Sequence, residues 1–365
     1  MKIGILTFHR AENFGAVLQT YALQTYLEQN GHDVYIIDYL CPAIETAYHI
    51  FNPSILWSRK NVFLSIKYYC QRFYNIQNRL LKKRNYKKFR EEFLKLTQPY
   101  KRIDTDLKFD AYIVGSDQIW NLHLTHGLDR HYFLDFPTHP SSLKIAYAAS
   151  AEHDPTGLLS KHRDKISMML NKFNAISVRE TFLKNEIQKY TSKSIYQCID
   201  PTCLLSKKDY QQLIIPPPIK KYILVYAMHE IPVGLELAKH LGKQHHCQVV
   251  VIKGGFSNSK KDTSIQDIGP RELLGWIAYA RTVITSSFHG LMLSLIYKKN
   301  FWAINTGNNL RQRHILNAIG LADRLISKQS EYTSGQIDYK SVTPRLEHIV
   351  QQSKDFLTSA LVIHE

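Results

Sequence analysis

A chain of 365 residues is longer than one hydrophobic core usually serves, so two domains are expected. Hydrophobic residues make up 44%, which excludes a disordered chain, and the formal charge of +16 suits a polyanion, an anionic membrane surface or a phosphorylated small molecule. The five cysteines (Cys41, Cys70, Cys198, Cys203 and Cys247) form no CxxC pair, which disfavours a zinc site and a disulfide framework and fits a reducing, cytoplasmic setting.

In chain order, "KIGILTF" (2–8) reads as a buried strand, "AVLQTYALQTYLEQNG" (16–31) as a helix ending in an Asn-Gly cap, and "DVYIIDY" (33–39) as the next strand. This is a βαβ unit, hence a parallel sheet with a right-handed crossover. Residues 51–95 break the rhythm with a long, basic, aromatic-rich helical stretch. Strands resume at 110–117, 144–150 and 174–180, with helices near 160–172 and 181–189, and "IYQCIDPTCLL" (195–205) closes the first half. "IIPPPIKK" (214–221) is a proline-rich joint. A second series follows: strands at 222–228 and 247–254, "TVITSS" and "FWAINTG" (301–307), with helices near 232–245, after Gly269-Pro270 and from Phe288, and a last helix at about 343–360.

The expected architecture is α/β: two Rossmann-like parallel-sheet domains facing each other across a cleft. Residues 1–213 form the first with its helical insertion at about 51–95, residues 214–345 the second, and 346–365 a C-terminal helix. No run reaches the roughly 18 apolar residues of a membrane span, and "MKIGILTFHRAENFG" lacks a signal-peptide core, so a soluble protein, at most peripheral to a membrane, is expected.

Ligands of open parallel sheets bind at the carboxyl ends of the strands. There the sequence places Asn13 and Gly15, Ser116 and Asp117, Ser150, Arg179 and Glu180, Asp200, and Ser286, Ser287 and His289. Singly, Asp117, Ser150 and Ser287 read equally as helix caps, and Asp200-Pro201 as a turn. Their concentration on one edge is the functional signal. His289 falls in the first turn of a helix, beside two serines and Gly290, where free N–H groups and the helix dipole attract an anion. As a lone histidine beside apolar residues it also reads as a core residue. Arg179 can grip a carboxylate or phosphate with two parallel hydrogen bonds, or pair with Glu180 or another neighbour. Arg311, Arg313 and His314 open a further helix. No GxGxxG follows the first strand, no GxxxxGK[ST] occurs, and no metal-spaced cluster or nucleic-acid motif is seen, so no cofactor, metal or nucleic acid is expected. Segment 58–95 holds twelve Lys or Arg against Glu91 and Glu92. It reads as an amphipathic surface for anionic lipid or as a packed insertion.

"NFGAVLQTYAL", "DAYIVGSDQIWN", "KIAYAAS", "ISVRE", "DPT" and "VITSSFHGLMLSLIYKKNF" resemble, in order and spacing, the polysaccharide pyruvyl transferase family, over about residues 1–320. The resemblance implies a fold of the glycosyltransferase B type. It implies transfer of the enolpyruvyl carbons of phosphoenolpyruvate onto sugar hydroxyls as a cyclic ketal, in surface polysaccharide assembly. It carries catalytic or donor-holding roles to His289 and Arg179. Ser286, Ser287, Gly290, Arg311 and Arg313 are then expected on the donor, and Asn13, Gly15, Gln19, Ser116, Asp117, Ser150 and Asp200 on the acceptor or cleft. The expected acceptor is a glycan or lipid-linked sugar met at the inner face of the membrane. Two alternatives stand: a nucleotide-sugar glycosyltransferase with its base pocket near "IKGG" (252–255) and Gly269 to Glu272, and a non-catalytic protein binding anionic glycan or membrane.

Overall fold

The structure, a computed structural model, describes residues 1–49, 76–151, 157–254, 264–307 and 309–362. Strands β1 (Lys2–Leu6), β2 (Asp33–Ile36), β3 (Ala111–Val114), β4 (Leu143–Ala149), β5 (Ala175–Val178) and β6 (Ile195–Gln197) make one sheet in the order β2-β1-β3-β4-β5-β6. Strands β7 (Tyr222–Ala227), β8 (Gln248–Lys253), β9 (Thr282–Thr285), β10 (Asn300–Ile304) and β11 (Leu325–Ile326) make the second, ordered β11-β10-β9-β7-β8. Every strand pair within both sheets is parallel. Parallel sheets of this kind carry helices on both faces, and their central strands are buried throughout: Ala111 to Val114 and Thr282 to Thr285 are all buried.

The helices are α1 (Phe14–Gln29), α2 (Pro42–Ala47), α3 (Ile76–Phe93), α4 (Leu158–Lys161), α5 (Arg163–Leu170), α6 (Thr181–Ile187), α7 (Pro232–His245), α8 (Pro270–Tyr279), α9 (Phe288–Ile296), α10 (Leu310–Ile319) and α11 (Tyr339–Ala360). Helix α1 is buried on nearly every side because it lies between the first sheet and the second domain. Its polar residues are satisfied internally: Gln19 Nε2 donates to Thr7 Oγ1 at 2.9 Å, and the Thr20 hydroxyl to the Ala16 carbonyl at 2.7 Å. The two domains share one apolar core, which runs from Ile5 and Val17 to Leu224 and Leu273. Across that seam the Phe14 and Tyr226 rings meet edge to face at 5.9 Å.

Within the basic segment, the described residues form α3, which buries Lys82, Tyr86 and Phe89 at helical spacing and turns Lys83, Arg84, Lys87 and Lys88 to solvent. The expected aromatics Phe63, Tyr68, Tyr69, Phe73 and Tyr74, like Gly255, lie outside the described residues. Lys82 is not a surface charge. Its ammonium donates to the Gly254 carbonyl of the second domain, and burial lowers its pKa to about 8. Asn85 Nδ2 likewise donates to the Asp267 carbonyl at 2.9 Å, so α3 ties the first domain to the second.

Helix α11 starts at Tyr339, ahead of the expected start at about 343, with the Asp338 side chain accepting from the Lys340 amide at 3.0 Å. It crosses back to the first domain. Ser353 Oγ accepts from the Ile199 amide at 2.9 Å, and Phe356 packs on Tyr147 and Tyr196. The sequence reading did not anticipate α2 or the two-residue strand β11.

Candidate active site

Three chain segments meet at Asp200. The carboxylate follows β6 and is fully buried. Its Oδ1 accepts from the Thr202 amide at 2.9 Å and the Thr202 hydroxyl at 2.6 Å, which caps the turn Pro201–Leu204. Its Oδ2 stands 2.7 Å from Arg179 Nη2 and 3.3 Å from His289 Nε2. Burial alone would push the Asp200 pKa up. The Arg179 guanidinium, then His289 and Thr202, instead hold it well below the usual carboxylate range. The ion-pair partner of Arg179 is thus Asp200, rather than its neighbour Glu180.

Arg179 is 5% exposed, with Nη2 also bonded to Ser116 Oγ. Its Nε and Nη1 are buried with no hydrogen-bond partner among the described residues, as are His289 Nε2 and Glu180 Oε2. Buried N–H groups of a guanidinium are costly to leave unmade. The faces of the Phe288 ring hold Arg179 at 5.2 Å and Arg311 at 5.3 Å, so one aromatic residue positions two cations. The Glu180 carboxyl accepts from the Ser150 hydroxyl at 2.6 Å. Burial raises the Glu180 pKa, against the pull of Arg179 and Arg311.

A cavity of about 390 Å³ opens here between β6, α9, α10 and α11. Arg179, Glu180, Asp200, Phe288, Arg311 and Arg313 form its charged end. His289 does not line it. Its ring touches Asp200 from the α1 side and lies against Gly15, where a Cβ would overlap Nδ1, Cε1 and Cγ. Gly15 is therefore a close-approach glycine, joining the first turn of α1 to that of α9.

The remaining candidates fall into two groups. Ser287 caps α9, its Oγ accepting from the Gly290 amide at 3.3 Å. The Ser286 carbonyl accepts from Gln312 at 2.9 Å. Gly290 lies under Thr285 and Tyr226, where a side chain would collide. Asn13 caps α1 through the Gly15 and Ala16 amides at 2.9 and 3.3 Å. Gln19, Ser116 and Ser150 are fully buried and bonded within the protein: the Ser116 amide donates to Gln19 Oε1 at 3.2 Å and its hydroxyl to the Ala148 carbonyl at 3.0 Å. These residues brace the strand ends behind Arg179. Asp117 has left-handed backbone (φ 68), and its Oδ1 accepts from the Gln118 amide at 2.8 Å. Arg313 is exposed, and His314 meets Gln197 at 3.0 Å. Sequence reasoning passed over Phe288 because an apolar residue at the front of an apolar helix reads as core. Its place beside His289 was the available signal.

Among the described residues, no group of three or more His, Cys, Asp or Glu side chains could hold a metal ion, and no helix is long and apolar enough to cross a membrane. Several solved structures are similar to this chain in fold. The UDP-GlcNAc 2-epimerase from Neisseria meningitidis bound to UDP-GlcNAc is 12% identical, with 99% of this chain and 94% of that chain covered and a TM-score of 0.46. The glycosyltransferase SnogD from Streptomyces nogalater is 11% identical, covers 99% and 97%, and has a TM-score of 0.43. The heptosyltransferase WaaC from E. coli with ADP is 11% identical, covers 99% and 100%, and has a TM-score of 0.39. No curated protein matches the chain in sequence. The polysaccharide pyruvyl transferase family model matches residues 13–308, from the cap of α1 to the loop before α10. That span takes in Gly15, Arg179, Asp200 and His289, and the chain belongs to the polysaccharide pyruvyl transferase family, a family of transferases.

Proposed function

We propose that the protein transfers the enolpyruvyl group of phosphoenolpyruvate onto two hydroxyls of one sugar, as a cyclic ketal, in surface polysaccharide assembly. The observation that carries this reading is the pair of buried, unpartnered N–H donors on Arg179 at the charged end of the cavity. Nε and Nη1 lie on different edges of the guanidinium, since Nη2 is taken by Asp200 and Ser116, so a ligand that carries both a carboxylate and a phosphate can meet each donor with a separate anionic group. Arg311 brings a second cation to the same ring, Phe288. A three-carbon donor with two anionic groups needs two such cations. Glu180, with its pKa raised by burial, takes up a proton more readily than an exposed carboxyl and so repels the donor less.

In this reading the donor held by Arg179 extends past Asp200 toward His289, whose Nε2 lies 3.3 Å from that carboxylate, and His289 delivers a proton to the vinyl carbon. The cation left at C2 bonds to the first sugar hydroxyl, which releases its proton. The C2–O bond to phosphate then breaks, with its electron pair leaving on phosphate, as the second hydroxyl bonds to C2 and loses its own proton. The products are the ketal and inorganic phosphate. Arg179 and Arg311 stabilise the charge gathering on the leaving phosphate. The donor-binding roles of Ser286, Ser287, Gly290 and Arg313, and the acceptor or cleft roles of Asn13, Gly15, Gln19, Ser116, Asp117, Ser150 and Asp200, belong to this same proposal. The acceptor is a glycan or lipid-linked sugar, reached from the cytoplasmic side. The exposed face of α3, with Lys83, Arg84, Lys87 and Lys88 beside exposed Leu80 and Leu81, would rest on the anionic membrane that carries it.

Equilibrium binding of radiolabelled phosphoenolpyruvate, and separately of UDP-sugars, tests the reading. Saturable binding of phosphoenolpyruvate that weakens about tenfold or more in Arg179→Lys supports it. Binding of a UDP-sugar without phosphoenolpyruvate would turn the assignment to a nucleotide-sugar glycosyltransferase.

A further inference from the structure

A second cavity, of about 320 Å³, lies at the carboxyl ends of β1 and β2, between the Arg10–Glu12 loop, the end of α2 and helix α3. Its volume falls in the range of small-molecule sites. No step of the transfer reading uses it. Its floor is rigid: Arg10 Nε donates to Glu45 at 2.7 Å and Nη1 to Asp38 at 2.8 Å, and Asp38 also meets His9 Nε2 at 2.8 Å. Three groups around this floor are different. Among the described residues, the side chains of Glu12, Tyr48 and Arg90 make no hydrogen bond or ion pair with the protein, yet none of the three is fully exposed. Burial raises the Glu12 pKa against the pull of Lys82, Lys83, Arg90 and Arg79, and burial lowers that of Arg90, which also faces Arg10.

The arrangement of charge selects the ligand. The lining sets Arg10, Lys83, Lys87 and Arg90 against Glu12, Asp38, Glu45 and Glu91, so it offers no excess of either charge to an ionic ligand. An apolar ligand would leave the carboxylate and the guanidinium unmade. A neutral polyol suits both, since each hydroxyl can donate to Glu12 while another accepts from Arg90. The Tyr48 hydroxyl can do either, and its ring offers an apolar face to a sugar. Glu12 precedes Gly15 by three residues, so their Cα atoms are at most about 11 Å apart, and Gly15 is in contact with His289. The cavity thus opens on the same sheet edge as Arg179 and Asp200.

We propose that this cavity binds a pyranose unit of the acceptor glycan, held by Glu12, Arg90 and Tyr48 within reach of His289. The inference rests on the reading of the acceptor as a sugar.

Saturation-transfer NMR on the full chain, with millimolar methyl β-D-glucopyranoside, methyl β-D-galactopyranoside and methyl β-D-mannopyranoside as probes, tests it. At least one probe is expected to give saturation transfer, with its affinity falling about tenfold in Glu12→Gln and in Arg90→Gln. Arg179→Lys should leave that signal unchanged while weakening phosphoenolpyruvate binding. If Glu12→Gln does not fold, Arg90→Gln on the half-buried rim decides. No signal from any probe, or equal signals in parent and Arg90→Gln, overturns the site. Pyranoside binding with no phosphoenolpyruvate binding would overturn the donor assignment and leave this site standing.

Discussion

The imidazole of His289, at the start of α9 in the second domain, rests directly on the backbone of Gly15, at the start of α1 in the first. Any side chain at position 15 must displace that ring. Gly15→Ala is therefore expected to cut transfer at least about tenfold, while overpacking costs roughly 1–3 kcal/mol of stability. Kinetics together with thermal unfolding check it. A fully active Gly15→Ala protein would mean that the position of His289 is irrelevant to turnover.

His289→Ala removes the proposed proton donor and relieves rather than creates crowding. Transfer below about a tenth of the parent rate, a barrier increase beyond ~1.4 kcal/mol, is expected in a protein that still melts cooperatively. Retention of most of the activity would confine His289 to packing between the two domains.

Arg179→Lys keeps one positive charge and loses the fork. The donor dissociation constant should rise by about tenfold or more, as measured by isothermal titration calorimetry. An unchanged constant would leave the Arg179–Asp200 pair with a purely structural role.

Asp200→Asn leaves the Arg179 cation buried without its counter-charge, a change that typically costs about 3–5 kcal/mol. Because the folded pKa of Asp200 is depressed, its contribution is complete above the ordinary aspartate range near pH ~4 and is lost as pH falls below it. Denaturant titrations should show the parent losing stability in that acid window more steeply than Asp200→Asn. Parallel pH profiles for the two proteins would contradict the assignment.

Vesicle co-sedimentation checks the membrane proposal. Replacing Lys83, Arg84, Lys87 and Lys88 together by glutamine should abolish low-salt binding to anionic vesicles, since each basic residue contributes up to about 1 kcal/mol there. Raising the ionic strength until the Debye length is ~8 Å should weaken the parent in the same direction. Lys82 stays in this variant because its ammonium holds Gly254 across the domain seam. Equal sedimentation of parent and variant rules the surface out.

The repeating order of strand and helix was legible in the sequence because parallel strands buried on both faces appear as short, continuous runs of apolar and β-branched residues such as "AYIV" and "TVIT". The place of His289 in the first turn of its helix was legible too, from two serines ahead of an apolar run. Helix α1 was harder. Buried on nearly all sides, it carries no clear polar face to show which side meets the second domain. Phe288 looked like core, and Lys82 looked like one more surface charge.

By itself, then, the sequence determined the two parallel sheets, the strand ends that carry polar groups, and the family. These depend on local periodicity and on which residue follows which. Only the tertiary structure decided that Arg179 pairs with Asp200, that His289 leans on Gly15, and that Arg90, Tyr48 and Glu12 surround one cavity. Each of those relationships joins segments far apart in the chain. Their distances are set by how the two sheets pack through a shared core, which no local pattern of residues encodes.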